Sequence, residues 1–190
     1  MKIKYLAFSY IECNLEKLLP VIFEIWNNNK YSILTGQHFE KMYEIEQLPG
    51  GAHLERIIFF QVNDSCCIML TNCADGLSST TYIITSQLDV EILNFRLSSN
   101  TCQYPVNSIS CIKNGEGQRV IYALKENKWV FYSCGNPLWF EVVENYKSKF
   151  IKNRINESII INYCNKLGLD IMDPNFWRSN NAVLIERHMW

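Results

Sequence analysis

The residue types that most often carry chemistry are few and scattered in this sequence. Its histidines are His38, His53 and His188, and no serine stands in a Gly-x-Ser-x-Gly turn. A nucleophile needs a base within hydrogen-bond reach and a third group that orients the base. A Cys134–His188 pair is one arrangement that the sequence allows, but two unrelated residues are the favoured interpretation. We therefore predict no catalytic residues.

A zinc site would have to draw on one histidine and three cysteines near the middle of the chain, His53, Cys66, Cys67 and Cys73. Structural zinc sites use cysteine pairs with about two to four residues between them. Cys66 and Cys67 are adjacent, and neighbouring residues of a strand point to opposite faces. The spacing favours buried thiols. Residues 115–117 (GEG) lack the third glycine of a phosphate loop and predict a turn, so we expect no metal and no cofactor.

One local cluster of basic residues stands out, and it consists of Lys147, Lys149, Lys152 and Arg154. At helical spacing these residues wrap around a helix instead of forming one stripe. The formal net charge of the chain is −1, whereas a phosphate-binding protein needs a clustered excess of lysine and arginine. A solvated helix face is favoured over nucleic-acid contact.

Large aromatic residues lie near predicted turns and near the last residue, at Trp139, Phe140, Phe176, Trp177 and Trp190. Exposed tryptophan and tyrosine often dominate protein interfaces, whereas buried aromatic residues carry much of the energy of a core. For Trp139 and Trp177 we favour burial, with both residues holding C-terminal helices against a sheet.

The composition predicts one globular domain over residues 1–190, because 48% of the residues are hydrophobic and 13% are aromatic. Eight cysteines raise the question of disulfides. The first residues contain no apolar signal-peptide core, and no stretch approaches the roughly 20 apolar residues of a membrane span. We therefore expect a cytoplasmic protein with reduced thiols and no membrane contact.

Hydrophobic periodicity predicts the secondary structure. After Asn14 we expect a helix that starts late or kinks at Pro20, and over 31–46 a weak strand pair or irregular segment. Over 77–88 residue propensity favours a strand and apolar spacing favours a helix, and we choose the helix. Asn156 is expected to cap the second of two C-terminal helices, of which the first carries an apolar stripe over 142–151. Strands are predicted over 3–11, 54–62, 66–72, 90–97, 106–112, 118–125, 128–133 and 182–187. This order indicates an α+β domain with a mostly antiparallel central sheet, an N-terminal helix and a C-terminal helical pair.

A family resemblance covers much of the chain after residue 70. It rests on 119–124 (RVIYAL), 128–132 (KWVFY), 135–138 (GNPL), 167–171 (LGLDI) and 173–177 (DPNFW), with 74–76 (ADG) and 94–98 (NFRLS) upstream. With these segments the chain resembles bacterial immunity proteins of polymorphic-toxin or contact-dependent growth inhibition systems. No short motif among them is diagnostic.

The resemblance implies a cytoplasmic protein that binds a cognate toxin C-terminal domain one-to-one and blocks its active site. Such toxins are often nucleases, and the immunity proteins are not enzymes. Binding a basic nuclease would favour an acidic surface, for which the candidate toxin-binding residues are Glu40, Glu44, Glu46 and Glu55. Two alternatives stay open, a small enzyme with a nucleophilic Cys134 and a nucleic-acid-binding domain that uses the basic cluster.

Overall fold

The computed structural model describes residues 4–26, 31–36, 54–99 and 101–187. In these residues nine strands form one sheet. Their bounds are β1 Tyr5–Ile11, β2 Tyr31–Gly36, β3 Arg56–Asn63, β4 Cys66–Thr71, β5 Glu91–Ser98, β6 Val106–Lys113, β7 Glu116–Lys125, β8 Trp129–Cys134 and β9 Ala182–Arg187. The order across the sheet is β2-β9-β3-β4-β1-β5-β6-β7-β8. Every neighbouring pair is antiparallel, as the sequence predicted.

Three α-helices lie in the described ranges, α1 Leu15–Trp26, α2 Ser78–Gln87 and α3 Glu157–Lys166. The side chain of Asn14 accepts a hydrogen bond from the backbone N–H of Lys17 at 2.9 Å and so caps α1. Pro20 lies on the exposed side of α1 without ending it. The predicted helix over 77–88 is confirmed as α2, and Asn156 caps α3 through the N–H of Ile159 at 3.0 Å. None of these helices is long and apolar enough to cross a membrane.

The predicted helix over 142–151 is wrong, since the chain forms two short 3-10 turns there, Val143–Lys147 and Ile151–Asn153. The helix is interrupted at Ser148, whose backbone is extended. The carbonyl oxygen of Ser148 accepts a hydrogen bond from Nε of Arg154 at 2.9 Å, in place of the backbone N–H that a continuous helix would supply. The predicted C-terminal helical pair is therefore one α-helix preceded by 3-10 turns.

The sheet has a hydrophobic core on each face. On one face α1 and α2 pack over buried residues of the central strands, such as Phe59 and Met69. On the other face the chain between residues 138 and 177, including α3, packs against residues such as Phe8 and Phe95. All six residues of β4 are buried because β4 is covered on both sides.

The segment 31–46, predicted as a weak strand pair or irregular, is described only in part. Residues 31–36 are strand β2, and residues 37–46 lie outside the described ranges.

Trp177 is held in the second of these cores. Its side chain is buried, and its Nε1 donates a hydrogen bond to the carbonyl oxygen of Ile171 at 3.0 Å. Its ring meets Phe8 edge-on at a centroid distance of 5.6 Å. Because the indole N–H has a partner, the ring is buried without an unsatisfied donor. The predicted role of Trp177 in holding the C-terminal segment to the sheet is confirmed.

A buried ion pair fixes the chain where it leaves β8. Arg119 and Glu141 form two hydrogen bonds, Nη2 to Oε2 at 2.7 Å and Nε to Oε1 at 3.0 Å, and their side chains are 2% and 0% exposed. Nη1 of Arg119 also donates to Ser133 Oγ and to the carbonyl oxygens of Cys134 and Gly135. This one guanidinium therefore joins the end of β8 to β7 and to the following segment.

Candidate protein-binding surface

Helices α1 and α2 leave part of the sheet face above β5 to β8 uncovered. Four residues stand opposite one another across these strands and so point to the same face. They are Arg96, Ser108, Tyr122 and Tyr132, here called the tyrosine row. Two parallel rows share the face, Asn94–Ser110–Val120–Cys134 and Val106–Leu124–Val130. These three rows together define the uncovered face.

The two tyrosines of the row form a stacked pair near the edge of the sheet. Their ring centroids are 5.4 Å apart with an interplanar angle of 24°. Tyr132 is 46% exposed, and the neighbouring Val130 is 40% exposed. Hydrogen bonding to Cys134 raises the pKa of Tyr132, and a tyrosine hydroxyl is protonated at neutral pH even at its ordinary pKa of about 10. The pair therefore presents flat apolar area together with a phenolic donor, a combination that is common at protein interfaces.

A cleft of about 230 Å³ separates the tyrosine row from α2. Its floor comes from β5, β6 and β7, and Ser78 and Tyr82 of α2 form the wall. The backbone N–H of Gly115 donates to Thr85 Oγ1 at 3.1 Å and ties α2 to the β6–β7 turn. The cleft is thus bounded by elements that are fixed to each other.

Hydrogen bonds set the orientation of the polar groups in this cleft. Oδ1 of Asn94 accepts from Ser9 Oγ at 2.6 Å, and Nδ2 of Asn94 donates to Thr81 Oγ1 at 3.2 Å and to Ser110 Oγ at 3.3 Å. The guanidinium of Arg96 donates to the carbonyl oxygen of Asp75. Hydroxyl, amide and guanidinium groups line the cleft, without a carboxylate, imidazole or thiol. Such groups recognise peptide carbonyls and side chains, and none of them is a general base at neutral pH.

Of the residues considered for catalysis and for zinc, only the cysteines lie in the described ranges. Cys134 lies exposed at the end of β8, and its proposed partner His188 is outside the described ranges, as are His38 and His53. Cys66 and Cys67 are both buried in β4, where desolvation by burial raises the pKa of both thiols. Across the described ranges no three histidine, cysteine, aspartate or glutamate residues are placed to hold a metal ion.

The basic cluster does not lie on an α-helix: Lys147 and Lys152 are in the two 3-10 turns beside β8, and Lys149 and Arg154 are next to them. The guanidinium of Arg154 sits over the ring of Phe131, 5.1 Å from its centroid, and is half-buried. Lys147, Lys149 and Lys152 are exposed. Arg154 therefore packs on β8, and the three lysines form the solvated part of the cluster.

Of the acidic residues predicted to bind a toxin, only Glu55 lies in the described ranges, and it is not part of the uncovered face. Glu40, Glu44 and Glu46 lie outside the described ranges. Glu55 is half-buried just before β3, and five strands lie between β3 and β8. The acidic surface as a whole stays a prediction.

The prediction for Trp139 is wrong, because this side chain is 76% exposed. The neighbouring Phe140 occupies the core position instead, and the Trp139 ring meets the Phe140 ring edge-on at a centroid distance of 5.6 Å.

Sequence reasoning also missed Tyr122 and Tyr132. The signal was present in β8, where the run WVFY places large apolar side chains on both faces of a strand.

Cys134 is the thiol that we expect to react first with iodoacetamide in the native protein. It is exposed, whereas Cys13, Cys66, Cys67, Cys111 and Cys164 are buried, and alkylation requires an accessible thiolate. Peptide mapping by mass spectrometry should find Cys134 labelled at least about ten-fold faster than the buried thiols. A rate close to that of free glutathione indicates exposure alone, whereas a much faster rate would favour the Cys134 nucleophile. Slow labelling at Cys134 would contradict its exposure.

Comparison of the sequence with protein-family models and with curated proteins, and of the fold with solved structures, finds no match.

Proposed function

We propose that this protein works by binding another protein through the uncovered face, and that the partner is a toxin domain whose activity it blocks. The observation that supports the proposal best is the stacked pair of half-buried Tyr122 and exposed Tyr132 on a part of the sheet that none of the described helices covers. Elsewhere, α1 and α2 cover the same face. An exposed apolar patch with polar groups around it is typical of an interaction site.

The polar groups of the uncovered face would make such an interface specific. Arg96 and Ser108 extend the tyrosine row toward the centre of the sheet. Hydrogen bonds from neighbouring residues already hold Asn94 in place, so little side-chain entropy is lost when a partner binds. Aromatic anchors among oriented polar groups are the arrangement in which a few residues carry most of the binding energy.

The toxin-blocking form of this proposal comes from the resemblance to bacterial immunity proteins carried by residues 119–124, 128–132 and 173–177. Two of these segments form the β7 and β8 parts of the uncovered face. In this proposal the protein acts in the cytoplasm as a one-to-one inhibitor and needs no cofactor. Glu40, Glu44, Glu46 and Glu55 remain candidates for a second, acidic contact.

The test is co-expression with the C-terminal toxin domain encoded next to this gene. We expect a stable one-to-one complex and rescue of growth. The double variant Tyr122→Ala/Tyr132→Ala should weaken the complex by about 2 kcal/mol or more, roughly 30-fold in Kd, because it removes two aromatic rings that anchor the partner. Isothermal titration calorimetry measures the affinity, and circular dichroism checks that the variant is folded.

Tyr104→Ala is the matched control. Tyr104 is a tyrosine with 61% exposure that does not belong to the three rows of the uncovered face, so its removal should leave affinity unchanged. Equal losses for the control and the double variant would place the interface elsewhere. Absence of both complex and rescue would refute the proposed toxin partner.

A further inference from the structure

Strand β8 has one edge with no hydrogen-bonding partner in the described part of the chain. The backbone N–H of Lys125 donates to the carbonyl oxygen of Pro105. At this end of β7 the backbone N–H and C=O groups of odd-numbered residues therefore point toward β6, and those of even-numbered residues point toward β8. Tyr122 and Leu124 therefore face β8 and pair with Tyr132 and Val130. Backbone groups alternate in direction along a strand.

It follows that Trp129, Phe131 and Ser133 direct their backbone N–H and C=O groups away from the sheet. Sheet edges are usually protected by a lysine or proline within the strand, or by a bulge. The six residues of β8 include neither residue type, and the pairing of β7 with β8 runs without a register shift. Within the described ranges, the outer edge of β8 is therefore open to pairing with a further strand.

The charge around this edge selects the kind of strand that fits. Five lysines lie between residues 125 and 153, against two exposed glutamates, Glu126 and Glu144. Lys125 and Lys152 line a cleft of about 220 Å³ together with Trp129, at the first residue of β8. Tyr146 packs on Phe131 at a centroid distance of 6.0 Å, which places the neighbouring Lys147 beside the strand. The edge of β8 therefore lies in a basic environment.

A second copy of this chain would bring the same lysines to the interface and be repelled. A strand with carboxylate side chains would be attracted. We propose that β8 receives an extended, acidic segment of a partner protein as an added antiparallel strand. The segment exchanges backbone hydrogen bonds with Trp129, Phe131 and Ser133, and its carboxylates face Lys125, Lys128 and Lys152. This inference rests on the proposed protein-binding function and adds the chemistry of the partner.

The probe is a fluorescein-labelled peptide of about ten residues that alternates threonine and glutamate, long enough to span β8 at ~3.3 Å per residue. Fluorescence anisotropy with the full chain should show binding that weakens as salt is added. The same peptide with lysine in place of glutamate should not bind. Peptide titration should shift the amide resonances of Trp129, Phe131 and Ser133 in NMR spectra. Equal binding of both peptides, or of neither, would overturn the proposal.

Ser133→Pro and Ser133→Ala form the matched pair for the backbone contact. Both variants lose the hydroxyl that accepts from Arg119, but only proline also removes the outward N–H. Peptide binding should fall at least about ten-fold in Ser133→Pro relative to Ser133→Ala. The double variant Lys128→Glu/Lys152→Glu should weaken peptide binding more than the control variant Lys17→Glu does. Lys17 is an exposed lysine of α1. Equal affinities within either pair would contradict the added strand.

The outcomes separate this inference from the proposed function. A toxin complex that survives Ser133→Pro but is lost in Tyr122→Ala/Tyr132→Ala supports binding by the uncovered face and overturns the added strand. Binding of the acidic peptide without any toxin complex supports the edge site and refutes the toxin partner. Tight binding of oligouridylate with no binding of the acidic peptide would assign the lysines to nucleic acid and also overturn the inference.

Discussion

Arg119→Met is expected to lower the free energy of unfolding by about 3–5 kcal/mol, the cost of breaking a buried ion pair by removing one partner. The substitution leaves the carboxylate of Glu141 buried with only Tyr146 Oη and the backbone N–H of Leu138 as donors. It also removes the donor to the carbonyl oxygens of Cys134 and Gly135. Urea denaturation followed by circular dichroism measures the loss.

Arg56→Met is the control for this prediction. Arg56 pairs with Glu186 at 2.8 Å, and the two side chains are 23% and 17% exposed, so water reaches this pair more than it reaches Arg119 and Glu141. Its loss should therefore cost less than the loss of Arg119. A similar cost for the two arginine variants would show that burial does not set the value of the Arg119 pair.

A double-mutant cycle with Glu141→Leu tests whether Arg119 and Glu141 act as a unit. The double variant should be more stable than the sum of the two single losses implies, with a coupling energy of about 2–3 kcal/mol. It should still be less stable than the native protein, because the two carbonyl oxygens at the end of β8 have lost their donor. Additive losses would argue against a coupled pair.

Elements with strong local patterns could be predicted from the sequence. The helical spacing of Leu77, Thr81, Ile84 and Leu88 predicted α2 against the β-propensity of its threonines and isoleucines; Thr81 and Ile84 are buried in the helix, and Leu77 and Leu88 flank it. The β6–β7 hairpin followed from Asn114-Gly115, both of which have positive φ. In both places local sequence and tertiary packing favour the same structure.

The segment over 142–151 shows why such a pattern can fail. The spacing of its apolar residues is helical. However, Nε of Arg154 donates a hydrogen bond to the carbonyl oxygen of Ser148, and the hydroxyl of Tyr146 donates one to the carboxylate of Glu141. These partners are only six and five residues apart along the chain, so local side-chain hydrogen bonds compete with the helix that the apolar spacing predicts. Trp139 and Phe140 are adjacent aromatic residues, and only the direction of the chain after Gly135 decides which one enters the core.

The uncovered face could not be located from sequence, because its definition depends on where the helices pack. Tyr122 alternates with buried residues of β7, and Tyr132 follows the half-buried Phe131 in β8, a pattern found in many half-buried strands. They become a surface pair because β8 is the last strand and α2 reaches only across β5 to β7. The order of strands, which sequence periodicity does not encode, thus decides which residues are available to a partner.

Gly135→Ala is the other substitution for which we expect a large loss of stability. Gly135 has a φ of +82°, a conformation that costs an L-residue about 1–2 kcal/mol. An alanine Cβ would also overlap the carbonyl oxygen of Gln118 and approach Cα of Arg119 to 3.1 Å. Both are β7 backbone atoms, so removing the overlap would require the end of β8 to move away from β7. The combined cost should reach about 3 kcal/mol or more in urea denaturation.

Gly168→Ala isolates the steric part of this effect. Gly168 has a similar φ of +77°, but no atom lies within 4 Å of the position that its Cβ would take. Its substitution should therefore cost only the backbone term of about 1–2 kcal/mol.

The carbonyl oxygen of Gly135 accepts a hydrogen bond from Arg119 at 3.0 Å, so displacement of the chain at Gly135 should also disturb the buried ion pair and move Tyr132 relative to Tyr122. Equal losses for the two glycine variants would mean that the close approach of β8 to Gln118 is not a constraint. A larger loss at Gly135, together with weaker partner binding, would tie the geometry of the tyrosine row to this turn.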